Sequence, residues 1–387
     1  MTARGRAVGV RWMLATAVVA SSLVCVAATQ AAPKAAAPAT TAGSTVSENA
    51  KPGGKAALSP PGTDANRDRW LQDGDRAYDQ GRWAEAEKAY RQADAARAND
   101  PTVLGKLAAV VLRQDHAAEA VELYDRALQL KPGYLDFELG HARALGASGH
   151  FQDASREYES ILTKNPSEYL ALLGAAQTHG WAGEYRQAAD FYERLLMQNA
   201  DSTEGMLGLA SVLAWNDQFD RAKDVYARVL KGDPKNKEAR VGMARVYGWQ
   251  GNLPKAREAY EDLLRESPTD QLLLVDYAKI LAWGEEYKRG IEIYERVLKD
   301  DPGNMEARLG LARVVAWDGD LARAEKLYDE ILTDQPENQS AVMGKIQVLH
   351  WGGRPLGTNK STTGSHTEDG APVVPPGKPA PVGRSQG

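Results

Sequence analysis

The feature that most constrains the fold of this chain is a tryptophan that recurs every 34 residues without insertion or deletion. An interval kept this strictly means that one structural unit is copied head to tail. A small residue precedes most of these tryptophans, and glycine or a polar turn-forming residue follows, which indicates the end of a helix and a turn. The recurring residues are Trp181, Trp215, Trp249, Trp283, Trp317 and Trp351.

The tryptophans set the register of eight full units and a half unit. Within a unit, apolar or small residues recur at the fourth, seventh, eighth and eleventh places, which form one stripe on an α-helix. A second stripe follows the turn, and a proline closes most units, where it can end one helix and open the next. The sequence therefore predicts an all-α array of helix-turn-helix units over residues 67–354. The units begin at Arg67, Pro101, Leu135, Tyr169, Thr203, Lys237, Gln271 and Met305, and the half unit begins at Gln339.

Two columns of residues recur in the second helix of every unit. A small residue at the twentieth place allows the two helices to approach closely, and a tyrosine at the twenty-fourth place fills the space beside that contact. The small residues are Ala86, Ala120, Ala154, Ala188, Ala222, Ala256, Gly290 and Ala324. The tyrosines are Tyr90, Tyr124, Tyr158, Tyr192, Tyr226, Tyr260, Tyr294 and Tyr328. These columns resemble the tetratricopeptide repeat, which implies a right-handed superhelical solenoid whose first helices line a concave groove.

The beginning of the chain has the pattern of a secretory signal peptide. Three arginines precede an apolar run over residues 12–28, and small residues follow, so residues 1–28 are predicted to be cleaved after Ala28 or Ala31. An uncleaved membrane anchor and a lipoprotein at Cys25 are the alternatives. In all three cases the body lies outside the cytoplasm, in the periplasm or secreted, and a membrane would be contacted only through an uncleaved leader.

Two further segments have the composition of disordered chain. Residues 29–66 and 355–387 are rich in Ala, Pro, Gly, Ser and Thr, and they contain too little apolar surface to offset the entropy of ordering. They are predicted to be a flexible linker and a disordered tail.

The charge of the body excludes one class of partner. The whole chain carries −5, residues 1–62 carry +5 and residues 352–387 carry +2, so the repeat region carries −12. Nonspecific nucleic-acid binding needs a basic face that releases phosphate counterions, and we therefore expect no nucleic-acid partner. The single Cys25 also leaves no disulfide framework.

The tryptophans predict a binding groove. At the thirteenth place of a unit, the indole points away from the packing between its own two helices. The ninth place lies on the same face and holds cations in three successive units, a local reversal of sign in an acidic body. The predicted partner-binding residues are the six tryptophans together with Gln177, Arg245, Lys279 and Arg313.

The tryptophans could instead pack on the neighbouring first helix. Six bare indoles would expose about 900–1,500 Å², whereas monomers rarely expose a contiguous apolar patch of more than a few hundred Å². The rings are therefore either covered by neighbouring helices or face a bound molecule. Both alternatives are true at once if one edge of a ring packs on a neighbouring helix and the rest of the ring faces a bound molecule.

Two ligand classes suit such a face. A peptide or partner helix could place apolar anchors on the indoles and carboxylates on the cations, as expected of a scaffold or adaptor in an envelope assembly. A polysaccharide could stack its sugar rings on the indoles. The phrase Leu/Ala-Trp-x-Gly, seen as Ala-Trp-Asp-Gly in residues 316–319, resembles repeats of bacterial exopolysaccharide export proteins, which implies glycan binding in synthesis or export as the alternative.

No pattern indicates an enzyme, a cofactor or a metal. The six histidines include no zinc-protease spacing, and a phosphate-binding loop is not found. The segment Gly-Ala-Ser-Gly at residues 146–149 lies at a helix-to-turn junction with no strand before it, unlike a nucleophile turn. His141 and His179 occupy places of the core stripe, where packed, neutral rings are expected. The chain is therefore predicted to be non-enzymatic.

Overall fold

The computed structural model describes residues 63–353, so the predicted signal peptide, most of the linker and the tail lie outside the described residues. Within the described part, the chain forms 17 α-helices and no strand. This confirms the predicted all-α class. The helices belong to two compact units, one in residues 63–201 and one in residues 202–353.

The odd-numbered helices are the first helices of the repeats. The first of them begins at Thr63, before the predicted start at Arg67. The first helices of the first unit are α1 Thr63–Asp79, α3 Pro101–Arg113, α5 Leu135–Ala147 and α7 Tyr169–Trp181. Those of the second unit are α9 Thr203–Trp215, α11 Lys237–Trp249, α13 Gln271–Trp283, α15 Met305–Trp317 and α17 Gln339–Trp351.

The even-numbered helices are the second helices, and each one packs against the first helix that precedes it. The first unit contains α2 Trp83–Ala96, α4 Ala117–Leu130, α6 Phe151–Lys164 and α8 Tyr185–Gln198. The second unit contains α10 Phe219–Gly232, α12 Leu253–Glu266, α14 Tyr287–Asp300 and α16 Leu321–Asp334.

The residue before most first helices caps them. Its side-chain oxygen accepts a hydrogen bond from a backbone N–H of the first turn, which would otherwise lack a partner. In most units the capping residue follows the closing proline by two places. The proline therefore marks the end of one helix, and the capping residue marks the beginning of the next. Capping residues of this kind are Asp100, Glu168, Ser202, Asn236, Asp270, Asn304 and Asn338.

The turn between the two helices of each repeat places its fifteenth residue in the left-handed region. After α13, the N–H of Glu285 donates to the carbonyl of Ala282, and the N–H of Glu286 donates to that of Leu281. This pair of bonds satisfies the last carbonyls of the helix and requires a positive φ between them. The residue is glycine in six repeats, and it is Asp115, Asp217 and Glu285 in the others, with φ of 62°, 59° and 65°.

The two columns found in the sequence form the core between helices. All seven alanines at the twentieth place have 0% of their surface exposed, and the tyrosines at the twenty-fourth place have at most 6%. The predicted close contact of the two helices, with a tyrosine beside it, is therefore confirmed.

A third column, at the sixth place of the first helices, receives these tyrosine rings. A β-carbon added to Gly310 would stand 2.5 Å from Cε1 of Tyr294, which belongs to the preceding repeat. Only glycine leaves room for the ring at this distance, so at these glycines the tyrosine of one repeat packs on the first helix of the next. The glycines in contact with a tyrosine in this way are Gly140, Gly174, Gly242, Gly310 and Gly344.

The first helices are buried on more sides than the predicted single stripe. In α7, all but four of the thirteen residues are buried, whereas α8 buries only Ala188, Ala189, Tyr192 and Leu195. The reason is that α7 packs against α6, α8 and the preceding first helix α5. The second helices therefore keep one apolar stripe, and the first helices form the interior of each unit.

Candidate partner-binding face

The exposed parts of the first helices form one side of each unit, which we call the first-helix face. The second, sixth, ninth and thirteenth places of a repeat follow one another along this side, since residues three or four apart share a face of a helix. Each of the six tryptophans is the last residue of its first helix, and each is half-buried. Trp181 belongs to the first unit, and the other five belong to the second.

The covered edge of the indole lies against the preceding first helix. Cζ3 of Trp283 is 3.4 Å from the point where a β-carbon on Gly248 would stand. Cζ3 of Trp181 is 3.3 Å from the same point on Gly146. In both units the contact residue is the small residue at the twelfth place of the preceding repeat. The tryptophans therefore pack on one edge, and part of each side chain stays accessible.

The same arrangement continues to the end of the second unit. Trp317 and Trp351 pack against the hydrophobic cluster that contains Ala282 and Ala316, the small residues at the twelfth place of their preceding repeats. A ladder of indoles thus accompanies the successive first helices of the second unit.

Two of the three predicted cations are engaged in ion pairs. Nε and Nη2 of Arg245 each lie 2.8 Å from Oδ2 of Asp276, which occupies the sixth place of the next repeat. Nζ of Lys279 lies 3.2 Å from Oδ1 of Asp276 and also pairs with Glu306. The expected reversal of sign is therefore wrong at Arg245 and Lys279, because two carboxylates from the same face neutralise them.

Asp276 is the centre of this network. Burial alone would raise its pKa, but the charges of Lys279 and Arg245 lower it, so the carboxylate stays ionised. Conversely, burial alone would lower the pKa of Arg245 and of Lys279, and the neighbouring carboxylate raises both. The hydroxyl of Tyr260 donates to Oδ2 of Asp276 at 3.4 Å. The network joins α11, α13 and α15, and its charges satisfy one another.

Arg313 is in a different situation. It is half-buried in α15, where its guanidinium interacts with the hydroxyl of Tyr328. Within residues 63–353, the ion pairs of α15 are made by Glu306 and Arg308 and leave out Arg313. Of the three predicted cations, Arg313 alone therefore lacks a carboxylate partner in the described part of the chain. Gln177, the remaining predicted residue, is half-buried in α7 of the first unit.

Arg143 is a further cation at a ninth place, and it is not among the residues predicted from the sequence. It occupies the ninth place of α5 and is exposed. Burial raises the pKa of Tyr124, and the nearby Arg143 guanidinium lowers it, which places the two side chains together. Its repeat has Ala147 at the thirteenth place, so the tryptophan pattern does not point to it. The signal in the sequence is the ninth place of the repeat that begins at Leu135.

The two histidines of the core stripe are packed, as expected. The ring of His179 is 5% exposed and stacks on Phe191 with 5.2 Å between ring centroids. Nδ1 of His141 lies 2.7 Å from Oε2 of Glu157, and Nε2 lies 3.3 Å from Oδ1 of Asp125. Burial alone would lower the pKa of His141, but the hydrogen bond to Glu157 and the two carboxylate charges raise it. The ring of His141 therefore holds a proton more tightly than an unperturbed histidine does.

The serine of the Gly-Ala-Ser-Gly segment caps a helix. Oγ of Ser148 lies 2.9 Å from the carbonyl oxygen of Leu145 and 2.8 Å from Nδ1 of His150, at the C-terminal end of α5. In the part of the chain that the structure describes, no three His, Cys, Asp or Glu side chains form a group that could hold a metal ion. None of the helices between residues 63 and 353 combines the length and the apolar character needed to cross a bilayer.

One solved structure shows the same repeat architecture, and others are similar over a smaller part of the chain. A tetratricopeptide repeat protein from Parabacteroides merdae is 20% identical, with a TM-score of 0.55, over 64% of this chain and 98% of that one. Pseudomonas aeruginosa PilF is 19% identical, with a TM-score of 0.44, over 54% of this chain and 94% of that one. MamA from Desulfovibrio magneticus is 13% identical, with a TM-score of 0.41, over 44% of this chain and 97% of that one. At these identities, the first similarity shows the fold alone.

Sequence comparison places the repeats in one family. None of the curated protein sequences compared with this chain matches it. Two family models described as tetratricopeptide repeat do match, and between them they span most of the described residues. The matched ranges are 71–134, 111–176, 181–231, 216–275 and 284–346. The chain belongs to the tetratricopeptide repeat family.

Proposed function

We propose that this protein is a non-enzymatic scaffold that binds a protein partner on its first-helix face, as an adaptor in an assembly of the cell envelope. Proteins built from these repeats are in general non-enzymatic scaffolds that bind other proteins. The observation that carries the proposal is the ladder of half-buried tryptophans along successive first helices. A row of partly accessible indoles is unusual on a monomer and typical of an interaction surface.

The location in the periplasm or outside the cell rests on the leader. Residues 1–28 have the charge and hydropathy pattern of a secretory signal, which would bring the acidic body into the envelope. An adaptor there would meet partners of the same compartment. Expression of the full chain, followed by fractionation and N-terminal sequencing of the mature protein, tests this location directly.

Arg313 is the residue best suited to test partner binding. Replacing Arg245 by glutamate would put two carboxylates together at Asp276, so a loss of binding could reflect damage to the fold. Arg313→Glu reverses a charge that has no carboxylate partner in residues 63–353. The matched control is Lys326→Glu, because Lys326 lies on the second helix α16 with 79% of its side chain exposed.

The experiment is affinity capture from envelope extracts with the tagged full chain. We expect Arg313→Glu to recover about tenfold less of the partner than the wild type, the loss typical of one charge-assisted contact. Lys326→Glu should recover the same amount as the wild type. Equal recovery by both variants would mean that the first-helix face does not hold the partner.

Glycan binding is the second candidate function. It is favoured by the same accessible indoles, since a sugar ring stacks on the face of an aromatic side chain. Titration of the mature protein with soluble cello- and chito-oligosaccharides, followed by tryptophan fluorescence, distinguishes the two candidates. A saturable change that is lost in Trp317→Leu would favour a role in exopolysaccharide synthesis or export. An unchanged spectrum, together with capture of an envelope protein, would favour the adaptor.

A further inference from the structure

Two ion pairs within the chain show which places of adjacent repeats meet on the first-helix face. In the second unit, the guanidinium of Arg245 at the ninth place holds the carboxylate of Asp276 at the sixth place of the next repeat. In the first unit the charges are exchanged, and Nζ of Lys106 at a sixth place lies 2.6 Å from Oδ1 of Asp75 at the preceding ninth place. The ninth place of one repeat therefore faces the sixth place of the next.

Lys279 makes a second kind of ion pair between adjacent repeats. It occupies the ninth place of α13 and pairs with Glu306, at the second place of α15. A cation at a ninth place can thus take a carboxylate from the sixth or the second place of the repeat that follows.

The repeat that follows Arg313 has a carboxylate at neither of these two places. The sixth place of α17 is Gly344 and the second place is Ser340, so no carboxylate comes from either position. The ring of Tyr328 lies directly against the backbone of Gly344, since its Cζ lies 2.3 Å from the point where a β-carbon on that glycine would stand. The guanidinium of Arg313 interacts with the hydroxyl of that tyrosine, and because it makes no ion pair among residues 63–353, its other N–H groups can bind an acceptor from outside the chain.

Arg143 occupies the ninth place of α5 in the first unit, where its guanidinium interacts with the hydroxyl of Tyr124 in the preceding repeat. The sixth place of the following repeat is Gly174, and Cζ of Tyr158 lies 2.3 Å from its β-carbon position. The second place is Leu170, which is 53% exposed. The ion pairs of α5 are made by Glu138 and His141 and, among the described residues, leave out Arg143.

We propose that Arg313 and Arg143 each bind the side-chain carboxylate of a glutamate or aspartate in the partner protein, through the same kind of ion pair that Arg245 makes with Asp276. This inference rests on the proposed function and names the chemistry of the partner. Asp276 serves as the internal example of the ligand, and because it is a side-chain carboxylate, we assign the same group to the partner. Leu170, at the second place of the repeat after Arg143, and Met343, at the fifth place of the repeat after Arg313, are each 53% exposed and favour aliphatic residues next to the acid.

The probe is a blocked hexapeptide of alternating glutamate and leucine, compared with its glutamine analogue by calorimetric titration of the full chain. We expect the glutamate peptide to bind about tenfold more tightly, since a charge-assisted bond replaces a neutral one. The double variant Arg143→Gln with Arg313→Gln should lose this preference. The control pair Arg156→Gln with Lys326→Gln removes the same charge from the exposed side chains of second helices and should keep it.

A second variant tests the internal comparison by gain of binding. Asp276→Gly gives the sixth place of α13 the residue found there in α11, α15 and α17, and releases Arg245. We expect one additional molecule of the glutamate peptide to bind per chain. If this variant unfolds by circular dichroism, Asp276→Asn removes the charge with the shape retained and should show the same gain.

Three results would overturn the inference: no binding of the glutamate peptide, equal binding of both peptides, or unchanged preference in the double arginine variant. The proposed function is tested separately by partner capture. A partner captured equally well by the wild type and by Arg143→Gln with Arg313→Gln would leave the scaffold in place and remove the carboxylate sites. Failure of every capture would remove the scaffold itself.

Discussion

The indole of Trp283 lies against Gly248, with Cζ3 of the ring 3.4 Å from the point where a β-carbon on that glycine would stand. Gly248 directly precedes Trp249, the equivalent tryptophan one repeat earlier. In each contact of this kind, the tryptophan of one repeat therefore packs on the last turn of the preceding first helix. The ladder stabilises the stack of repeats and at the same time holds its indoles in a regular row.

Loss of one ring tests the structural half of this dual role. We expect Trp283→Ala to lower the free energy of unfolding by about 3 kcal/mol, the low end for a large aromatic side chain, because the indole is only half-buried. Urea denaturation measures it. Leu272→Ala in the same helix removes a side chain that is 48% exposed and should cost about 1 kcal/mol or less. Equal effects of the two substitutions would contradict the packing role.

The glycine column makes a sharper prediction at Gly310. An added β-carbon would meet the ring of Tyr294 at 2.5 Å, and the ring is enclosed by the core. We expect Gly310→Ala to destabilise the protein by about 1–3 kcal/mol, the range for overpacking. Gly232→Ala is the control, since nothing lies within 4 Å of its β-carbon position. If thermal unfolding shows the control variant to be less stable than Gly310→Ala, then contact with the ring of Tyr294 does not destabilise the protein.

The turn after α13 offers a stabilising substitution. Glu285 has a φ of 65°, a conformation that costs an L-residue roughly 1–2 kcal/mol and costs glycine little. We expect Glu285→Gly to raise the free energy of unfolding by about 0.5–1 kcal/mol, after the larger chain entropy of glycine is deducted. Gly251→Ala at the equivalent place, where φ is 77°, should lower it. Opposite signs for the two substitutions in chemical denaturation are the expected result.

His141 gives the stability of the first unit a dependence on pH. Folding raises the pKa of its ring, so the folded state binds the proton more tightly than the unfolded state. The stabilisation is therefore complete below about pH 6.5, the unfolded value, and is lost as the pH rises through the folded-state pKa. We expect the stability difference between the wild type and His141→Gln to shrink with rising pH. His150→Gln, at an exposed ring, serves as the control, and a difference that grows with pH would contradict the assignment.

The sequence contained the periodic part of this architecture. The intervals between tryptophans, and the alanine and tyrosine columns, were sufficient to predict the helices, their pairing and the packing around Tyr294, because each repeat reports the same environment. The glycine column at the sixth place was equally periodic, but its purpose is visible only when the ring of the preceding repeat is seen against it.

The charges of the first-helix face could not be predicted in the same way. Arg245 and Asp276 are 31 residues apart, and Lys279 and Glu306 are 27 apart, so each pair joins different repeats through places that differ in most other units. A count of cations at the ninth place therefore suggested three exposed positive charges. The structure shows that a substitution at the sixth or second place decides whether a ninth-place cation is paired.

The claim that the first-helix face holds the partner is tested most directly by site-specific photo-cross-linking in cells. A photoreactive amino acid is placed at Leu272, exposed on the first helix α13, or at Arg265, exposed on the second helix α12. We predict a discrete cross-linked protein species from position 272 that weakens when Arg313→Glu is introduced, and no such species from position 265. A species formed from position 265 and not from position 272 would contradict the account.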